Sequence, residues 1–423
     1  MKNFFKKLKI KRRLITWLAG MHFYGGPSKK MKIVGVTGTN GKTTTTTLLY
    51  KVATGLGYKA GLIGTVENMI AGEVRSATHT TPDPIFLYKL LNEMAAKGCE
   101  YVFMEVSSHA LDQNRIAGIR FAGAVFTNLT HDHLDYHKNM ERYFASKKKI
   151  FKTLSPLAFA LANNDDAYGV KILENIKAKP VLYGFQECQK LSLANVTCLH
   201  GEIRKMNFDG LELNFNGENL KSKLLGKFNA YNLLAVWSAS SLLGFDMKKV
   251  NKILENITPP RGRFEHFMAP NGVLVIVDYA HSPDALEKIL LAAKDIIRNG
   301  PSKNSGQAKL ISLFGCGGDR DPMKRPIMGN LGATLSDIAI FTSDNPRSED
   351  PDKIITEMAV GLSHDLQNKV IAITDRREAI KKSIDLAKEG DVILCAGKGH
   401  EDYQEIKGVK HHFNDLEEYK KLF

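Results

Sequence analysis

The sequence predicts an α/β protein with a P-loop central domain on a mostly parallel sheet and a Rossmann-like C-terminal domain. Three observations predict this class. Apolar, β-rich runs alternate with helical stretches, a glycine loop stands between the first strand and the first helix, and the alternation restarts after a Pro-Pro pair at 259–260. We place a boundary near residue 260. This gives a basic amphipathic N-terminal segment over 1–30, a central domain over 31–260 and a C-terminal domain over 261–423.

The strands of both domains are predicted from their short apolar runs. In the central domain these runs lie at 33–36, 101–106, 122–127 and 157–162. Residues 180–225 carry short alternating runs and turn residues, which predict a small antiparallel excursion, and residues 229–255 look helical. In the C-terminal domain the runs lie at 273–278, 308–314, 337–342, 369–373 and 391–395.

The composition is that of an average globular protein. Hydrophobic residues make up 43% and charged residues 25% of the 423 residues, which excludes a mostly disordered chain. No run of about 18 apolar residues occurs, so we expect no transmembrane helix. The five cysteines show no CxxC spacing. This argues against a disulfide framework or a zinc ribbon and suits a reducing cytosol.

The net charge of +14 is concentrated in one short segment. Residues 1–30 hold seven Lys and two Arg and no acidic residue, whereas the rest of the chain has 50 basic and 45 acidic groups. A nucleic-acid partner is therefore not expected. Two interpretations of the segment stay open: a basic tail with a helix packed on the body, and an interfacial helix that makes peripheral contact with an anionic membrane. On a helix, one side would carry Phe4, Leu8, Leu14, Ile15 and Leu18.

A glycine-rich loop at 35–44 follows a strand and opens a helix, which is the context of a phosphate-binding loop. Backbone N–H groups would cradle phosphates, Lys42 would reach the β- and γ-phosphates, and the Thr43 hydroxyl would bind Mg²⁺. The generic pattern GxxxxGK[ST] fails only at Val36, which occupies the first glycine position. The loop predicts ATP as a ligand, with contacts from Gly38, Thr39, Asn40, Gly41, Lys42, Thr43 and Thr44.

Two further clusters carry groups that suit metal chemistry. Glu105 stands near the end of an apolar strand, where ligands of open α/β sheets bind, so it is either a Mg²⁺ ligand or a simple charge at a strand end. The segment 131–137 holds three His and two Asp in seven residues. Its composition alone fits a metal site and a polar loop equally well.

Ten motifs together resemble one family. They are, in chain order, TGTNGKTT, TTPDP, MEVSSHAL, TNLTHDHLDYH, GKFNAYN, GRFE, VDYAHSPDAL, FGCGGDRD, DNPR and GKGHEDYQ. From about residue 31 to the C-terminus, this order resembles the Mur ligases, and within them the type that adds the third amino acid of the peptidoglycan peptide. The resemblance implies that ATP phosphorylates the free side-chain carboxylate of D-glutamate in UDP-MurNAc-L-Ala-D-Glu. The amino group of the incoming amino acid then attacks the acyl phosphate.

The resemblance also implies roles for single residues. Thr43 and Glu105 would bind a first Mg²⁺, and His133 would bind a second together with a lysine that has taken up CO₂ as a carbamate. Lys147 fits that lysine best, although Lys148 and Lys149 are adjacent. The catalytic set is then Lys42, Glu105, His133 and Lys147.

Substrate contacts are implied in the same way. The muramoyl dipeptide would be held by Thr80, Thr81, Ser107, Gln113 and Arg115, and the nucleotide also by Asn229, Arg263, Asp278 and His281. The DNPR form implies meso-diaminopimelate as the incoming amino acid, because Arg347 can pair with its distal carboxylate. Further contacts to that amino acid would come from Arg320, Asp344, Asn345, Gly397 and Glu401, the last holding the distal ammonium.

The sequence departs from the family at its start. Members usually carry an α/β domain before the phosphate loop, and that domain binds the uridine. Here only about 30 residues precede the core. The uridine could be held by the basic segment or by another protein, or the acceptor could be non-standard. We therefore expect a cytosolic, monomeric wall-synthesis ligase. The alternatives are a related amide ligase acting on another carboxylate and a non-catalytic nucleotide-binding relative.

Overall fold

The computed structural model describes residues 26–77, 79–188, 195–300 and 308–423. The predicted N-terminal helix, with all of its apolar side, lies outside the described residues. Within the described ranges, no helix is long and apolar enough to cross a membrane. The described chain forms two compact units. The first takes in the residues up to Arg204 with Glu212–Ser222 and Phe228–Ile257, and the second takes in Lys205–Leu211, Lys223–Lys227 and Thr258–Phe423.

One eleven-stranded sheet organises the first unit. Its strands are β1 (Lys32–Thr37), β2 (Ala60–Ile63), β3 (Glu67–Ile70), β4 (Glu73–Ser76), β5 (Tyr101–Glu105), β6 (Gly123–Phe126), β7 (Phe159–Asn163), β8 (Lys179–Gly184), β9 (Thr197–Asn207), β10 (Gly210–Phe215) and β11 (Glu218–Ser222). The order is β11-β10-β9-β8-β7-β6-β1-β5-β2-β3-β4. Strand β1 lies inside the sheet and pairs in parallel with both β5 and β6. The mostly parallel sheet expected from the βαβ rhythm is confirmed.

The helices of this unit pack their apolar residues on the sheet. They are α1 (Lys42–Gly55), α2 (Pro84–Ala96), α3 (Ser108–Asp112), α4 (Leu134–His137), α5 (Met140–Thr153), α6 (Gly169–Ile172), α7 (Lys227–Leu243) and α8 (Met247–Glu255). Helix α1 contains five successive threonines, which are poor helix formers. Leu48, Leu49 and Val52 of α1 are fully buried, so packing overrides that propensity. The Asp83 side chain caps α2 by accepting from the N–H groups of Ile85 and Phe86.

The prediction of an antiparallel excursion over 180–225 is wrong in its first part. Strand β8 pairs in parallel with both β7 and β9, so the parallel sheet continues to β9. Within this stretch, β9, β10 and β11 are joined by two-residue connections, which link antiparallel strands. Short alternating runs predict half-buried strands, but they do not give the direction of pairing.

The described residues contain one disulfide, which the sequence did not predict. Cys188 and Cys198 form a disulfide, with their Cα atoms 6.2 Å apart. The two cysteines are ten residues apart in the chain, and Cys198 lies in β9 opposite Leu182 of β8. The remaining cysteines, Cys99, Cys316 and Cys395, are buried and free.

The sheet ends at β4, beyond a hairpin that the sequence did not predict. Strands β2, β3 and β4 pair successively in antiparallel fashion. All four residues of β4 are exposed. Its two charged side chains, Glu73 and Arg75, pair with each other, and they also pair with Lys97 and Glu93 beside the edge.

A six-stranded sheet organises the second unit. Its strands are β12 (Glu265–Met268), β13 (Leu274–Asp278), β14 (Leu310–Phe314), β15 (Ile338–Phe341), β16 (Val370–Ala372) and β17 (Val392–Ala396), in the order β12-β13-β17-β14-β15-β16. Only β12 pairs antiparallel. A separate hairpin is formed by β18 (Tyr403–Ile406) and β19 (Val409–His412). The helices are α9 (Pro283–Arg298), α10 (Lys324–Leu335), α11 (Pro351–Met358), α12 (His364–Gln367), α13 (Arg376–Leu386) and α14 (Asp415–Leu422).

A fully buried ion pair holds the last helix on the second unit. The Arg376 guanidinium donates to both carboxylate oxygens of Asp415, at 2.7 and 2.8 Å. It also donates to the carbonyl oxygen of Ala396 at 3.0 Å. The pair therefore joins α13, α14 and the end of β17.

We expect Arg376→Ala to cost about 3–5 kcal/mol of unfolding free energy, because it leaves the Asp415 carboxylate buried without its partner. The neighbouring Arg377 provides a matched control. Its side chain is 54% exposed and pairs with Glu418, so Arg377→Ala should cost at most about 1 kcal/mol. Urea unfolding of both variants measures the difference. Equal midpoints would contradict the structural role given to the buried pair.

Candidate active site

Side chains that follow β6 hydrogen-bond to the loop between β1 and α1 and fix its conformation. Gly41 has a φ of 83°, in the left-handed region that favours glycine. A Cβ there would lie 2.6 Å from the Asn232 side-chain oxygen. The Thr127 hydroxyl donates to the carbonyl oxygen of Asn40 at 2.6 Å, and the Asn128 side chain accepts from the Asn40 N–H at 3.0 Å. These bonds fix the backbone at the start of a helix, where N–H groups suit an anion.

Two lysine amines converge on this loop. Lys42 Nζ donates to the carbonyl oxygens of Gly38 and Thr39, at 3.0 and 2.8 Å. Lys147, on α5, donates to the same Gly38 oxygen at 2.7 Å. Its Nζ lies 4.5 Å from the centroid of the Tyr143 ring, and the Tyr143 hydroxyl is 3.1 Å from the Thr39 hydroxyl. Two of the predicted catalytic residues are therefore neighbours.

Lys147 differs from the two lysines that follow it. Its side chain is 1% exposed, and this burial, with the nearby charge of Lys42, holds the pKa of the amine well below its usual value. Lys148 and Lys149 are half-buried. Lys148 donates to the Lys171 carbonyl oxygen, and Lys149 pairs with Asp112 at 3.0 Å. Burial lowers the pKa of Lys148 as well, but Lys147 is the most deeply buried of the three and has the pKa that is held well below its usual value.

Glu105 faces the first turn of α1. The Thr43 hydroxyl donates to Glu105 Oε2 at 3.0 Å. The Thr65 N–H donates to Oε1 at 2.7 Å and the Thr65 hydroxyl to Oε2 at 3.1 Å. A buried carboxylate beside a hydroxyl at the mouth of the loop is an all-oxygen donor set, which Mg²⁺ prefers. The residues predicted for the first ion therefore fit it. Nowhere in the described ranges do three or more His, Cys, Asp or Glu side chains form a group that could hold a metal.

Three histidines gather beside Lys147, although only His133 was predicted to act. The ring of His109 lies 5.0 Å from that of His133 and 5.5 Å from that of His137. His133 is half-exposed and lies 6.3 Å from the Tyr143 ring. His137 is buried, with Nε2 2.9 Å from the Ser108 hydroxyl. Loss of solvation lowers the pKa of all three imidazoles, so the cluster favours neutral rings.

The His137 site predicts part of the acid sensitivity of the fold. Burial and the nearby His109 lower the pKa of His137 from 6.5 to about 4. In the unfolded chain this imidazole takes a proton below about pH 6.5, whereas the folded chain resists until about pH 4. Folding stability that is present above pH 6.5 is thus lost as the pH falls through this window, by up to about 3 kcal/mol.

We expect His137→Gln to flatten this acid limb, because glutamine can bond to Ser108 but does not titrate. Urea midpoints between pH 7 and 4 would measure the slope. The exposed His411 supplies the control, and His411→Gln should keep the original slope. An unchanged slope in His137→Gln would show that protonation of this ring is not coupled to unfolding.

The predicted dipeptide contacts form one hydrogen-bonded group. The Thr81 hydroxyl accepts from the Ser107 N–H at 3.0 Å, and the Arg115 guanidinium donates to the Thr81 carbonyl oxygen at 2.7 Å. Arg115 also donates to the Gln113 side-chain oxygen at 3.0 and 2.9 Å. Thr80 reaches Thr65 at 3.0 Å. A guanidinium fixed beside a threonine loop suits an anionic substrate.

The predicted amino-acid contacts also lie together, in the second unit. Asn345 donates to Glu401 Oε2 at 2.8 Å. Gly397 lies against Asp344, because a Cβ there would be 3.0 Å from Asp344 Oδ2. Asp344 is 6% exposed, and its Oδ1 has no hydrogen-bond partner among the described residues. That oxygen is 3.8 Å from the Lys398 amine. Asp344 is thus a buried carboxylate with one oxygen that lacks a hydrogen bond, a group that suits an ammonium.

Arg347 flanks this cluster. Its guanidinium donates to the Gly318 carbonyl oxygen at 2.8 Å and lies 3.7 Å from a Glu405 carboxylate oxygen. Arg320 is exposed on the same loop as Gly317 and Gly318. A Cβ at Gly317 would lie 2.9 Å from Arg347 Nη1 and 3.8 Å from Arg320 Cγ. The side chains of both arginines therefore approach Gly317.

The remaining predicted nucleotide contacts occupy both units. In the second unit, Arg263 lies 5.0 Å above the Tyr279 ring, and its Nε has no hydrogen-bond partner among the described residues. Asp278 accepts from the N–H groups of Phe264 and Ala280, and burial raises its pKa. His281 is exposed, with Nδ1 2.9 Å from the Tyr279 carbonyl oxygen. In the first unit, Asn229 is buried and accepts from Asn232 at 3.0 Å, and Thr44 is buried in the first turn of α1.

Several residues of these groups were not predicted. Tyr143 precedes Lys147 by one helical turn, a spacing that predicts contact on a helix face. Thr65 lies just beyond the carboxyl end of β2, where sites form in open α/β sheets. Thr127 and Asn128 follow β6 in the same way. Lys398, which is fully buried beside Asp344 and Glu401, had no signal beyond its place in GKGHE.

A phosphate-type loop between a parallel strand and a helix, faced by a buried acid, defines a P-loop nucleotide-binding enzyme. Comparison with protein families gives the class more closely. Residues 36–240 match the Mur ligase middle domain, and residues 262–399 match the Mur ligase, glutamate ligase domain. The chain belongs to the Mur ligase family and is an ATP-dependent ligase that forms an amide bond. Enzymes of this family need Mg²⁺.

Individual relatives are similar over most of their length. The UDP-N-acetylmuramoyl-L-alanyl-D-glutamate--2,6-diaminopimelate ligase of Parabacteroides distasonis is 49% identical over 401 residues, covering 95% of this chain and 79% of the relative. The same-named enzyme of Bacteroides fragilis is 49% identical over 405 residues, covering 96% and 80%. A solved structure of a ligase with this name is 33% identical, covers 96% of this chain and 82% of that chain, and has a TM-score of 0.67.

Proposed function

We propose that this ligase joins meso-diaminopimelate to the D-glutamate carboxyl group of UDP-MurNAc-L-Ala-D-Glu in the synthesis of peptidoglycan precursors. The observation that carries the proposal is the cluster around Asp344, Asn345, Arg347 and Glu401. It offers buried acceptors for an ammonium group and, beside them, a guanidinium for a carboxylate. An amino acid with both groups at its distal end matches that cluster. The names of the relatives support the same substrates.

The reaction has two steps, phosphoryl transfer and amide formation. A carboxylate oxygen of D-glutamate attacks the γ-phosphorus of ATP, and ADP leaves. The neutral amino group of diaminopimelate then attacks the acyl carbon, a proton is lost from nitrogen, and phosphate leaves as the amide forms. The first step brings a carboxylate close to a triphosphate. Two unit charges about 4 Å apart repel by about 4 kcal/mol at an effective dielectric of 20, so the site must supply positive charge.

The residues of the loop supply or organise that charge. Lys42 lies over the loop and would shift to the phosphates, while the N–H groups at the start of α1 hold them. Thr43 and Glu105 would hold one Mg²⁺. His133 and a carbamate on Lys147 would hold a second. Magnesium in these positions would neutralise charge on the phosphates and on the carboxylate.

The carbamate assignment is supported by the environment of Lys147. A neutral amine is the form that adds CO₂, and burial favours that form. The carbamate places an anionic oxygen donor where the amine stood, and oxygen is the ligand type that Mg²⁺ prefers. Arg115, with Thr80, Thr81, Ser107 and Gln113, would bind the muramoyl dipeptide and its diphosphate.

Phosphate release with ATP, Mg²⁺ and UDP-MurNAc-L-Ala-D-Glu tests the proposal when meso-diaminopimelate or L-lysine is added in turn. We expect release with diaminopimelate, a product of the corresponding mass, and little release with L-lysine. The control Glu105→Gln keeps the size of the side chain but removes its charge, and it should abolish release. Equal release with both amino acids would contradict the assigned specificity. No phosphate release with either amino acid would contradict the assignment of UDP-MurNAc-L-Ala-D-Glu as the acceptor.

A further inference from the structure

Thr65 contacts Glu105 through two separate groups. Its N–H donates to Oε1 at 2.7 Å and its hydroxyl to Oε2 at 3.1 Å, so one residue holds both oxygens of the carboxylate. The third donor is the Thr43 hydroxyl, at 3.0 Å from Oε2. Glu105 is 1% exposed. The terminal torsion of a glutamate is soft, so these bonds decide the plane of the carboxylate.

The Thr65 hydroxyl also lies 3.0 Å from the Thr80 hydroxyl oxygen, to which it is placed to donate. A threonine hydroxyl has one hydrogen to donate, so Glu105 and Thr80 compete for it. Hydrogen bonds to an ionised acceptor are the stronger ones, so the Glu105 carboxylate takes the hydrogen.

Gly64 leaves room for this arrangement. A Cβ at Gly64 would lie 2.9 Å from Glu105 Oε1, which is closer than side chains normally approach. The absence of that atom lets the turn after β2 close over the carboxylate. The turn thus presents its backbone N–H and the next hydroxyl to Glu105 at once.

We propose that Thr65 is a positioning residue of the magnesium site, which turns the carboxylate of Glu105 so that Oε2 faces the Thr43 hydroxyl. The inference rests on the proposed role of Glu105 as a magnesium ligand. Partners that orient a ligating side chain are worth about 10- to 100-fold in metal affinity. The hydroxyl of Thr65, rather than its shape, carries this role.

Direct metal binding tests the inference without turnover. Mn²⁺ serves as the probe, and its binding to the full chain in the presence of ADP is followed by electron paramagnetic resonance. We expect Thr65→Val, which keeps the shape and the N–H, to weaken Mn²⁺ binding about 10- to 100-fold. Thr65→Ser, which keeps the hydroxyl, should bind nearly as tightly as the unaltered chain. Thr54→Val removes a helix hydroxyl that bonds to the Tyr50 carbonyl oxygen and should change nothing.

The outcomes separate this inference from the proposed function. If Glu105→Gln binds Mn²⁺ as the unaltered chain does, the proposed metal role of Glu105 fails and the inference fails with it. If Glu105→Gln loses Mn²⁺ but Thr65→Val does not, only the inference is overturned. Equal losses in Thr65→Val and Thr65→Ser would also overturn it, since shape would then matter more than the hydroxyl. Should Thr65→Val not fold, Thr65→Ala takes its place against Thr65→Ser.

Discussion

Replacement of Lys147 by methionine should lower kcat about 100- to 1000-fold, the usual cost of removing one group that stabilises charge in the transition state. Methionine matches the length of the buried stem and removes only the amine. Lys148→Met and Lys149→Met are the matched controls, because these side chains lie on the same helix and are half-buried. Both should keep kcat close to that of the unaltered enzyme. Phosphate release at saturating substrates measures all three.

A spectroscopic readout separates the carbamate from a role in packing. Enzyme equilibrated with ¹³C-bicarbonate should show a carbamate carbon by NMR, and Lys147→Met should lose it while Lys148→Met and Lys149→Met keep it. The folding of Lys147→Met should not suffer, since it removes a buried polar group. A carbamate signal that survives in Lys147→Met, or is lost in Lys148→Met, would assign the CO₂ to another lysine.

Replacement of Arg347 by alanine should lower kcat/KM for meso-diaminopimelate. The loss of transition-state stabilisation should be about 2–5 kcal/mol, the cost of leaving the distal carboxylate of the substrate buried without its partner. At 1.4 kcal/mol per factor of ten, this is roughly 30- to several thousand-fold. The loss arises because the distal carboxylate of the substrate would lose the guanidinium. Steady-state kinetics with varied diaminopimelate measures it.

L-lysine distinguishes recognition from a structural effect. It has no distal carboxylate, so Arg347→Ala should leave its low rate nearly unchanged and the selectivity ratio should collapse. Arg377→Ala, at an exposed position with its own acidic partner, should change neither rate. Equal losses for diaminopimelate and L-lysine would mean that Arg347 only supports the loop through Gly318 and Glu405.

The α/β class could be predicted because the central strands are continuous apolar runs, and a strand buried on both faces has that pattern whatever its partners. Strands β1, β5, β6 and β7 were found in this way. The direction of β8 and the hairpin β2–β3–β4 were not, since pairing depends on residues distant in sequence. The bond between Cys188 and Cys198 was not predicted either, because cysteine spacing alone does not identify a pair.

The candidate site divides along similar lines. Residues that repeat a family motif, such as Lys42 and Arg347, could be named from sequence. The sequence could not show which of the three adjacent lysines is buried, because the burial comes from Tyr143 and from the loop packed over Lys147. Thr65 has no charge and no motif, and it becomes visible only when its distance to Glu105 is known. The domain limits, the site roles, the monomeric state and the membrane contact of residues 1–30 stay predictions.

The exposed edge of the large sheet has a consequence for the behaviour of the concentrated protein. Sheet edges offer free backbone groups to other chains, and long apolar edges promote aggregation. Here the outermost strand β4 is only four residues long, and Glu73 and Arg75 are paired with Lys97 and Glu93 around it. Charged side chains on a short edge strand discourage the addition of another strand. The charged border thus protects solubility, and Glu73→Val with Arg75→Val should lower the concentration at which the enzyme precipitates.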